Sequence, residues 1–256
     1  MENNKNVFSL QGRTAVITGG TTGLGLAMTK CMIESGAKVV VVSMDPIEVY
    51  EENLGKYKEQ TAYYQFNITD TAHVQELADK IIREQGDISI LINNAGNHCK
   101  KPIEEMTVED YKSVLDVHLV GAFGITKAFI PHMKALGNAS IIFQASMTSF
   151  IGQPYVMGYS TAKAGYLGMM RTLATEASGS GVRVNAIAPG WIDTPMFRKA
   201  TDGDPERKAK ILGRTPMNKV GDPTDIGWAA VYLCSDAAKF VSGVCLPVDG
   251  GALIGF

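Results

Sequence analysis

The stretch Thr18-Gly19-Gly20-Thr21-Thr22-Gly23-Leu24-Gly25 decides the fold. It follows a β-branched run from Thr14 to Thr18 and leads into a stretch of helical character over residues 23–35. Strand, glycine loop and helix in that order let the backbone close on a pyrophosphate at the positive end of a helix. The glycines are spaced G-x-x-x-G-x-G and not G-x-G-x-x-G, so the generic dinucleotide fingerprint does not match and the strand–loop–helix context carries the inference. A glycine-rich turn that binds nothing is the alternative.

Outward from this loop, short β-branched runs recur at Thr14 to Thr18, Val39 to Ser43, Ala62 to Asn67, Ile88 to Asn93, Ser140 to Ala145, Val182 to Ala188 and Val244 to Val248. Helix-like segments lie between them near 23–35, 71–85, 107–135, 156–179 and 223–235, the last opening on Asp222-Pro223 as a cap and first-turn proline. Strands that alternate with helices predict one doubly wound, Rossmann-like α/β unit over residues 1–256, a parallel sheet of about seven strands with helices on both faces. Ile88, Ile90, Leu91 and Ile92 form an almost continuous apolar run, as expected of a strand buried on both sides. No linker, repeat or low-complexity tract interrupts the pattern. The polar, proline-containing insertion Thr201 to Lys210 marks 195–215 as a candidate lid, with a solvated loop as the alternative.

Composition excludes several classes. Among 256 residues, 45% are hydrophobic and 20% charged, ordinary for a folded globular chain. Lys plus Arg number 24 against 26 Asp plus Glu, and the net charge of −2 offers no field for nucleic acid or an anionic membrane. Unbroken apolar runs such as Val39–Val42 fall well short of the ~18 residues a membrane helix needs. The opening MENNKNVFSL lacks an apolar signal core, so a cytoplasmic protein is expected. Cys31, Cys99, Cys234 and Cys245 are scattered, with no CxxC or His-x-x-x-His spacing, and read as reduced thiols without a metal site.

Tyr159 and Lys163 stand four apart in a helix-like stretch, on one face, so the ammonium can lie near the phenol oxygen. Moving a phenol from about 10 to near pH 7 requires roughly 4 kcal/mol. A cation about 4 Å away at an effective dielectric of 20 supplies about that much. A surface i,i+4 pair is the alternative, but it leaves Ser146 and the glycine loop unconnected.

Further motifs follow in order: Asn93-Asn94-Ala95-Gly96 after the fourth strand, Tyr159-Ser160-Thr161-Ala162-Lys163, Pro189-Gly190 after the sixth strand, and Asp249-Gly250-Gly251 near the end. With the TGxxxGxG-like loop they resemble the motifs of the short-chain dehydrogenase/reductase family over almost the whole chain. The resemblance implies an enzyme that moves a hydride between a nicotinamide and a secondary alcohol or ketone. It implies Tyr159 as general acid/base, Lys163 as its electrostatic partner and ribose ligand, and Ser146, thirteen residues before Tyr159, as hydrogen-bond donor to the substrate oxygen. An oxidised nicotinamide would add a second positive charge beside Tyr159. Cofactor contacts implied in the same way are Gly19, Thr21, Thr22, Gly23, Leu24 and Gly25, then Ser43 and Met44 at the adenosine ribose and Asn67 and Ile68 at the adenine. Asn94, Ala95, Gly96, Tyr159, Lys163, Pro189, Gly190, Ile192 and Thr194 complete the set towards the nicotinamide. The family also implies a homotetramer. His118 stands where the family usually has asparagine, either as a member of the proton relay or as a packing histidine.

No Arg or Lys occurs at Thr22 or in Ser43-Met44-Asp45, where an NADP user would place a partner for the 2′-phosphate, so NAD is expected, with NADP left open. Asp45 would repel that phosphate and accept from a ribose hydroxyl. Thr22 to Gly25, Ser43 and Ala145 to Phe150 resemble the sugar-acid and polyol branch of the family, such as the gluconate 5-dehydrogenases and 2-dehydro-3-deoxygluconate 5-dehydrogenases. The candidate substrate groups are Ser146, His98, Gln153 and Trp191, with Lys100, Arg198 and Arg214 as further polar candidates. A 3-oxoacyl or steroid ketone reduced with NADPH is the rival, using Met147, Phe150, Met157, Met196 and Phe197. A catalytically decayed dinucleotide sensor or scaffold is the rival from another class.

Overall fold

Strands with no polar face must be covered on both sides, and the computed structural model, which describes residues 6–255, has that arrangement. Seven strands pair in parallel: β1 (Thr14–Thr18), β2 (Lys38–Ser43), β3 (Thr61–Gln65), β4 (Ile88–Asn93), β5 (Ala139–Gln144), β6 (Val182–Pro189) and β7 (Cys245–Val248). Their order is β3-β2-β1-β4-β5-β6-β7. The helices are α1 (Gly23–Glu34), α2 (Ile47–Leu54), α3 (Val74–Gln85), α4 (Val108–Leu115), α5 (Ala122–Leu136), α6 (Met157–Ala177), α7 (Pro195–Thr201), α8 (Pro205–Arg214) and α9 (Pro223–Cys234).

Alternate strand residues feed two cores. Val16, Val40, Leu91, Ile141 and Phe143 pack with Ile81, Phe129, Tyr166 and Met170 of α3, α5 and α6. Ala15, Ile17, Val41, Ile90 and Ile92 pack with Met28, Met32, Ile226 and Val231 of α1 and α9 on the other face. The chain builds outward from β1 to β3, then returns to lay β4 on the other side of β1. The loops after β1 and β4 therefore part in opposite directions and leave a crevice at the carboxyl ends of the strands.

The structure differs from the expectation at several points. Residues 107–135 were expected as one helix, but α4 and α5 are joined by a π-helical turn, Asp116–Gly121, which carries His118. By length and composition alone the run Val108–Leu136, whose most apolar 18-residue window has a mean hydropathy of 1.4, could cross a membrane, contrary to the expectation that no stretch approaches that length; Ile125, Phe129 and Met133 pack one face of it into the core instead. The insertion before α9 is helical: Thr194 and Asp204 accept from the N–H groups of Phe197 and Arg207 at 3.2 and 2.9 Å, capping α7 and α8. Both helices begin on proline, which the first turn tolerates, so residues that resembled loop punctuation are helix starts. Asp222 caps α9 as expected, in a reciprocal box with Asp225. Cys31 and Cys234 are buried, and burial pushes both thiols up to about 11.

Phe129 is fully buried between α5 and the sheet. Phe129→Ala is expected to lower the unfolding free energy by about 3–5 kcal/mol, read as a drop in urea midpoint at unchanged m-value.

Candidate active site

The glycine loop is built by close approach. A Cβ on Gly25 would stand 2.0 Å from the Gly19 carbonyl oxygen, so only glycine lets α1 begin against the end of β1. Thr22, at the N-cap of α1, makes no side-chain cap bond, which leaves the first-turn N–H groups of the helix turned to the crevice. The Thr18 hydroxyl accepts from the backbone N–H groups of Asn94 and Ala95, both at 3.0 Å, and donates to the Ile92 carbonyl at 3.3 Å. The Asn94 amide donates back to the Thr18 and Gly19 carbonyls at 3.0 Å each. Gly19, Asn94 and Ala95 therefore line one crevice. On its far side Gly190 donates to the Val248 carbonyl at 3.0 Å, Ile192 is buried and bridges to Gly221, and Thr194 caps α7.

Past β2, the Asp45 carboxylate accepts from the hydroxyls of Thr21 and Ser43, the latter at 2.9 Å, while the Tyr63 hydroxyl donates to the Asp45 carbonyl. Met44 is exposed beside it. Asn67 turns its carboxamide oxygen to the N–H and hydroxyl of Thr69 at 3.0 and 2.9 Å, above buried Ile68. These surroundings fit a dinucleotide: a cradle that a Cβ would fill, uncapped helix N–H groups, and an anchored carboxylate where ribose hydroxyls would lie.

Ser146, Tyr159 and Lys163 come together at the end of β5. Ser146 follows β5 in extended backbone and caps the short turn Met147–Ser149, accepting from the Thr148 N–H at 3.2 Å. The Ser149 hydroxyl donates to the Lys163 carbonyl at 2.7 Å and ties that turn to α6. Burial raises the Tyr159 phenol above its ordinary value, and a hydrogen bond with Ser146 draws it back. Lys163 is buried with its ammonium donating to the Gln144 carbonyl, 5.3 Å from the centre of the Tyr159 ring and 4.9 Å from that of Tyr166. Desolvation lowers Lys163 to about 7. The expectation that this ammonium by itself brings the phenol towards neutrality therefore fails for the chain alone: its hydrogen bond goes to Gln144, and burial weakens its own charge.

His118 is 1% exposed on the π turn, with Nε2 2.9 Å from the Asn97 carbonyl oxygen. A carbonyl only accepts, so Nε2 carries the hydrogen; Nδ1 is left as a bare acceptor, buried and without a protein partner. Burial first, then Lys163, pushes His118 down to about 3. Gly96 makes room for it, since a Cβ there would meet His118 Cε1 at 2.2 Å. The His118 ring meets Tyr159 edge-on at 5.6 Å, while His98 lies flat on Tyr159, centroids 4.9 Å apart and planes 10° apart.

Other substrate candidates separate. Trp191 is half-buried with its indole N–H unpartnered, and Gln153 is half-buried. Arg198 is held by Asp193 at 2.7 and 2.8 Å, and Arg214 donates to the Ala252 carbonyl at 3.2 Å. Met147 is buried, Phe150 and Met157 are half exposed, Phe197 packs on Trp191, and the side chain of Met196 lies outside the described residues. Sequence reasoning missed Tyr166, whose buried hydroxyl is unpartnered, and Gln144, whose buried amide is also unpartnered. Tyr166 is three residues after Lys163 and seven after Tyr159, so the helical face they share was the available signal.

The chain matches the family model described as enoyl-(acyl carrier protein) reductase over residues 19–252. It is 33% identical over 247 residues to the 3-oxoacyl-[acyl-carrier-protein] reductase of Thermotoga maritima, covering 96% of this chain and 99% of that protein. It is 36% identical over 252 residues to a 2-dehydro-3-deoxy-D-gluconate 5-dehydrogenase of Formosa agariphila, covering 97% and 95%. Among solved structures, a gluconate 5-dehydrogenase from Burkholderia cenocepacia J2315 in complex with NADP and tartrate superposes with a TM-score of 0.92 at 28% identity, covering 98% of each chain.

His118 should remain neutral through the working range. In a histidine NMR titration its Cε1–H signal is expected to be flat from about pH 5 to 9, whereas His73, raised by its bond to Asp70, titrates above the ordinary histidine value of about 6.5. Because the unfolded chain binds a proton at His118 near pH 6.5 and the folded chain does so only near 3, this residue withdraws stability as pH falls between those values.

Proposed function

Because the chain belongs to the short-chain dehydrogenase/reductase family, we propose that it interconverts a polyhydroxylated secondary alcohol, a sugar acid or polyol, and the corresponding ketone with NAD(H). The observation that carries the reading is the meeting of Tyr159, Ser146 and buried Lys163 beside the crevice lined by Gly19 and Asn94. In the oxidative direction the Tyr159 oxygen takes the hydroxyl proton while the Ser146 hydroxyl hydrogen-bonds the same substrate oxygen and fixes its position. With the dinucleotide bound, Lys163 would hold the nicotinamide ribose and, together with the oxidised ring, would favour the phenolate, and His118 holds the relay side of the site through its bond to Asn97. When bound, the dinucleotide supplies the hydride-accepting ring and, oxidised, a positive charge beside Tyr159. Gly19, Thr21, Thr22, Gly23, Leu24 and Gly25 would hold its pyrophosphate; Ser43, Met44, Asn67 and Ile68 the adenosine end; and Asn94, Ala95, Gly96, Pro189, Gly190, Ile192 and Thr194 the nicotinamide end.

NAD is favoured over NADP by Asp45, whose carboxylate is held by Thr21 and Ser43 with no Arg or Lys in 19–25 or 43–45. A 2′-phosphate there would meet a like charge and no cationic partner. The 3-oxoacyl reading has the Thermotoga relative in its favour, but it needs that missing partner, and Met147 is in the core. A decayed sensor would have no use for the assembled Ser146, Tyr159 and Lys163. We further infer one cytoplasmic enzyme unit that assembles as a homotetramer, with exposed Val108, Val120, Phe123 and Met157 on the α4–α6 side as contact residues, and with α7 and α8 as its lid.

Tyr159→Phe is expected to reduce kcat by 10²–10⁴-fold on a sugar-acid and polyol panel while NADH affinity by calorimetry stays within a few-fold; unchanged turnover refutes the mechanism. In parallel titrations NADH should bind at least tenfold tighter than NADPH, and Asp45→Ala should narrow that ratio. Tighter binding of NADPH overturns the NAD assignment.

A further inference from the structure

The loop between β4 and α4 is pinned at both ends. At its start the Asn97 carbonyl accepts from His118 at 2.9 Å, and the Asn97 amide donates to the Ser113 carbonyl at 3.1 Å. At its end the Lys101 N–H donates to the Tyr155 carbonyl at 2.9 Å, and its ammonium pairs with Asp110 at 2.7 Å. Between the pins stands His98-Cys99-Lys100, with the His98 ring flat on Tyr159. Lys101 is neutralised by Asp110, but among the described residues no carboxylate lies within ion-pair distance of His98 or Lys100. An imidazole thus lies on Tyr159, with an ammonium two residues further along the same loop, and among the described residues neither has a carboxylate partner.

We propose that His98 is the residue that reads the acid group of the substrate, its imidazolium donating to the carboxylate of a hydroxy acid whose carbinol lies on Tyr159, with Lys100 beside it. This rests on the polyhydroxylated substrate proposed above and decides between the acid and the neutral polyol within it. The stack on Tyr159 gives the ring its place, and the pinned loop removes the freedom that would otherwise oppose a charge-assisted hydrogen bond.

Several groups face His98. From α6 comes Tyr159, from the π turn comes His118, and from its own loop come Cys99 and Lys100. Without an anion, partial desolvation holds His98 below its ordinary value; a backbone bond at Cys99 opposes this, and Lys100 adds to it. A bound carboxylate favours the imidazolium, so acid binding takes up a proton and weakens as pH rises through the pKa of His98 in the complex. Ionisation of Tyr159 acts on acid and polyol alike and cancels in their ratio.

The test compares D-gluconate with D-glucitol, which lacks the carboxylate, under saturating NAD. In the wild type, the ratio of kcat/KM for gluconate to that for glucitol should fall as pH rises from 6 to 9. His98→Gln should lower that ratio at least tenfold at pH 6, chiefly through KM for gluconate, and flatten its pH dependence; His98→Lys should restore most of it. A ratio unchanged within twofold, or equal losses in kcat on both substrates, overturns the proposal. A second measurement uses the wild-type NADH complex and needs no turnover. Gluconate, and not glucitol, should raise the NMR titration midpoint of His98 by about one pH unit, and no difference between them overturns the proposal. If the wild type oxidises neither substrate, the proposed substrate class fails on that result, and the NMR comparison alone decides the role of His98.

Discussion

The Thr18 hydroxyl sits at the end of β1, where the sheet reverses its order and the loops after β1 and β4 separate. It accepts two backbone N–H groups from the β4 loop and donates within β4, and the Asn94 amide answers by bonding the carbonyls of Thr18 and Gly19. Backbone groups that a splitting sheet would leave unpaired are satisfied there by side chains, at a point 1% exposed to solvent. This clasp sets the width of the crevice. Gly25 at its wall and Gly96 at its floor have no side chain because the Gly19 carbonyl and the His118 ring occupy that space.

Behind the crevice the protein buries groups that water would hold at lower free energy. Lys163 is 3% exposed and bonded to a carbonyl without a counter-ion, and His118 keeps one ring nitrogen unpartnered. Tyr166, with its own unpartnered hydroxyl, packs between them. Such groups cost stability, and their concentration around one phenol marks where the fold trades it for chemistry. The π-helical turn belongs to the same trade: it interrupts α4–α5 where His118 must turn into the interior.

Much of this was legible in local sequence. The alternation of apolar runs and helical stretches predicted all seven strands to within about two residues, because strands buried on both faces need unbroken apolar sequence. The short helices α2, α7 and α8 escaped notice: proline at the N-cap of α2 or at the start of α7 and α8 resembles a loop signal until the cap is seen, and seven to ten residues carry little periodicity. Candidate substrate residues separated only in three dimensions. Arg198 and Arg214 proved committed to Asp193 and Ala252, whereas His98 lies on Tyr159.

The sequence by itself determined the fold class, the glycine loop between β1 and α1, the Tyr159–Lys163 face and the family, because each rests on spacing within a few residues or on the order of such motifs. Tertiary structure alone decided the protonation and partners of the site. His118 meets a carbonyl 21 residues away, Lys163 one 19 residues away, and Asp45 a hydroxyl 24 residues away. Desolvation and hydrogen bonding act through space, so whether a histidine is neutral, a lysine near titration or a carboxylate anchored depends on neighbours that local spacing does not encode.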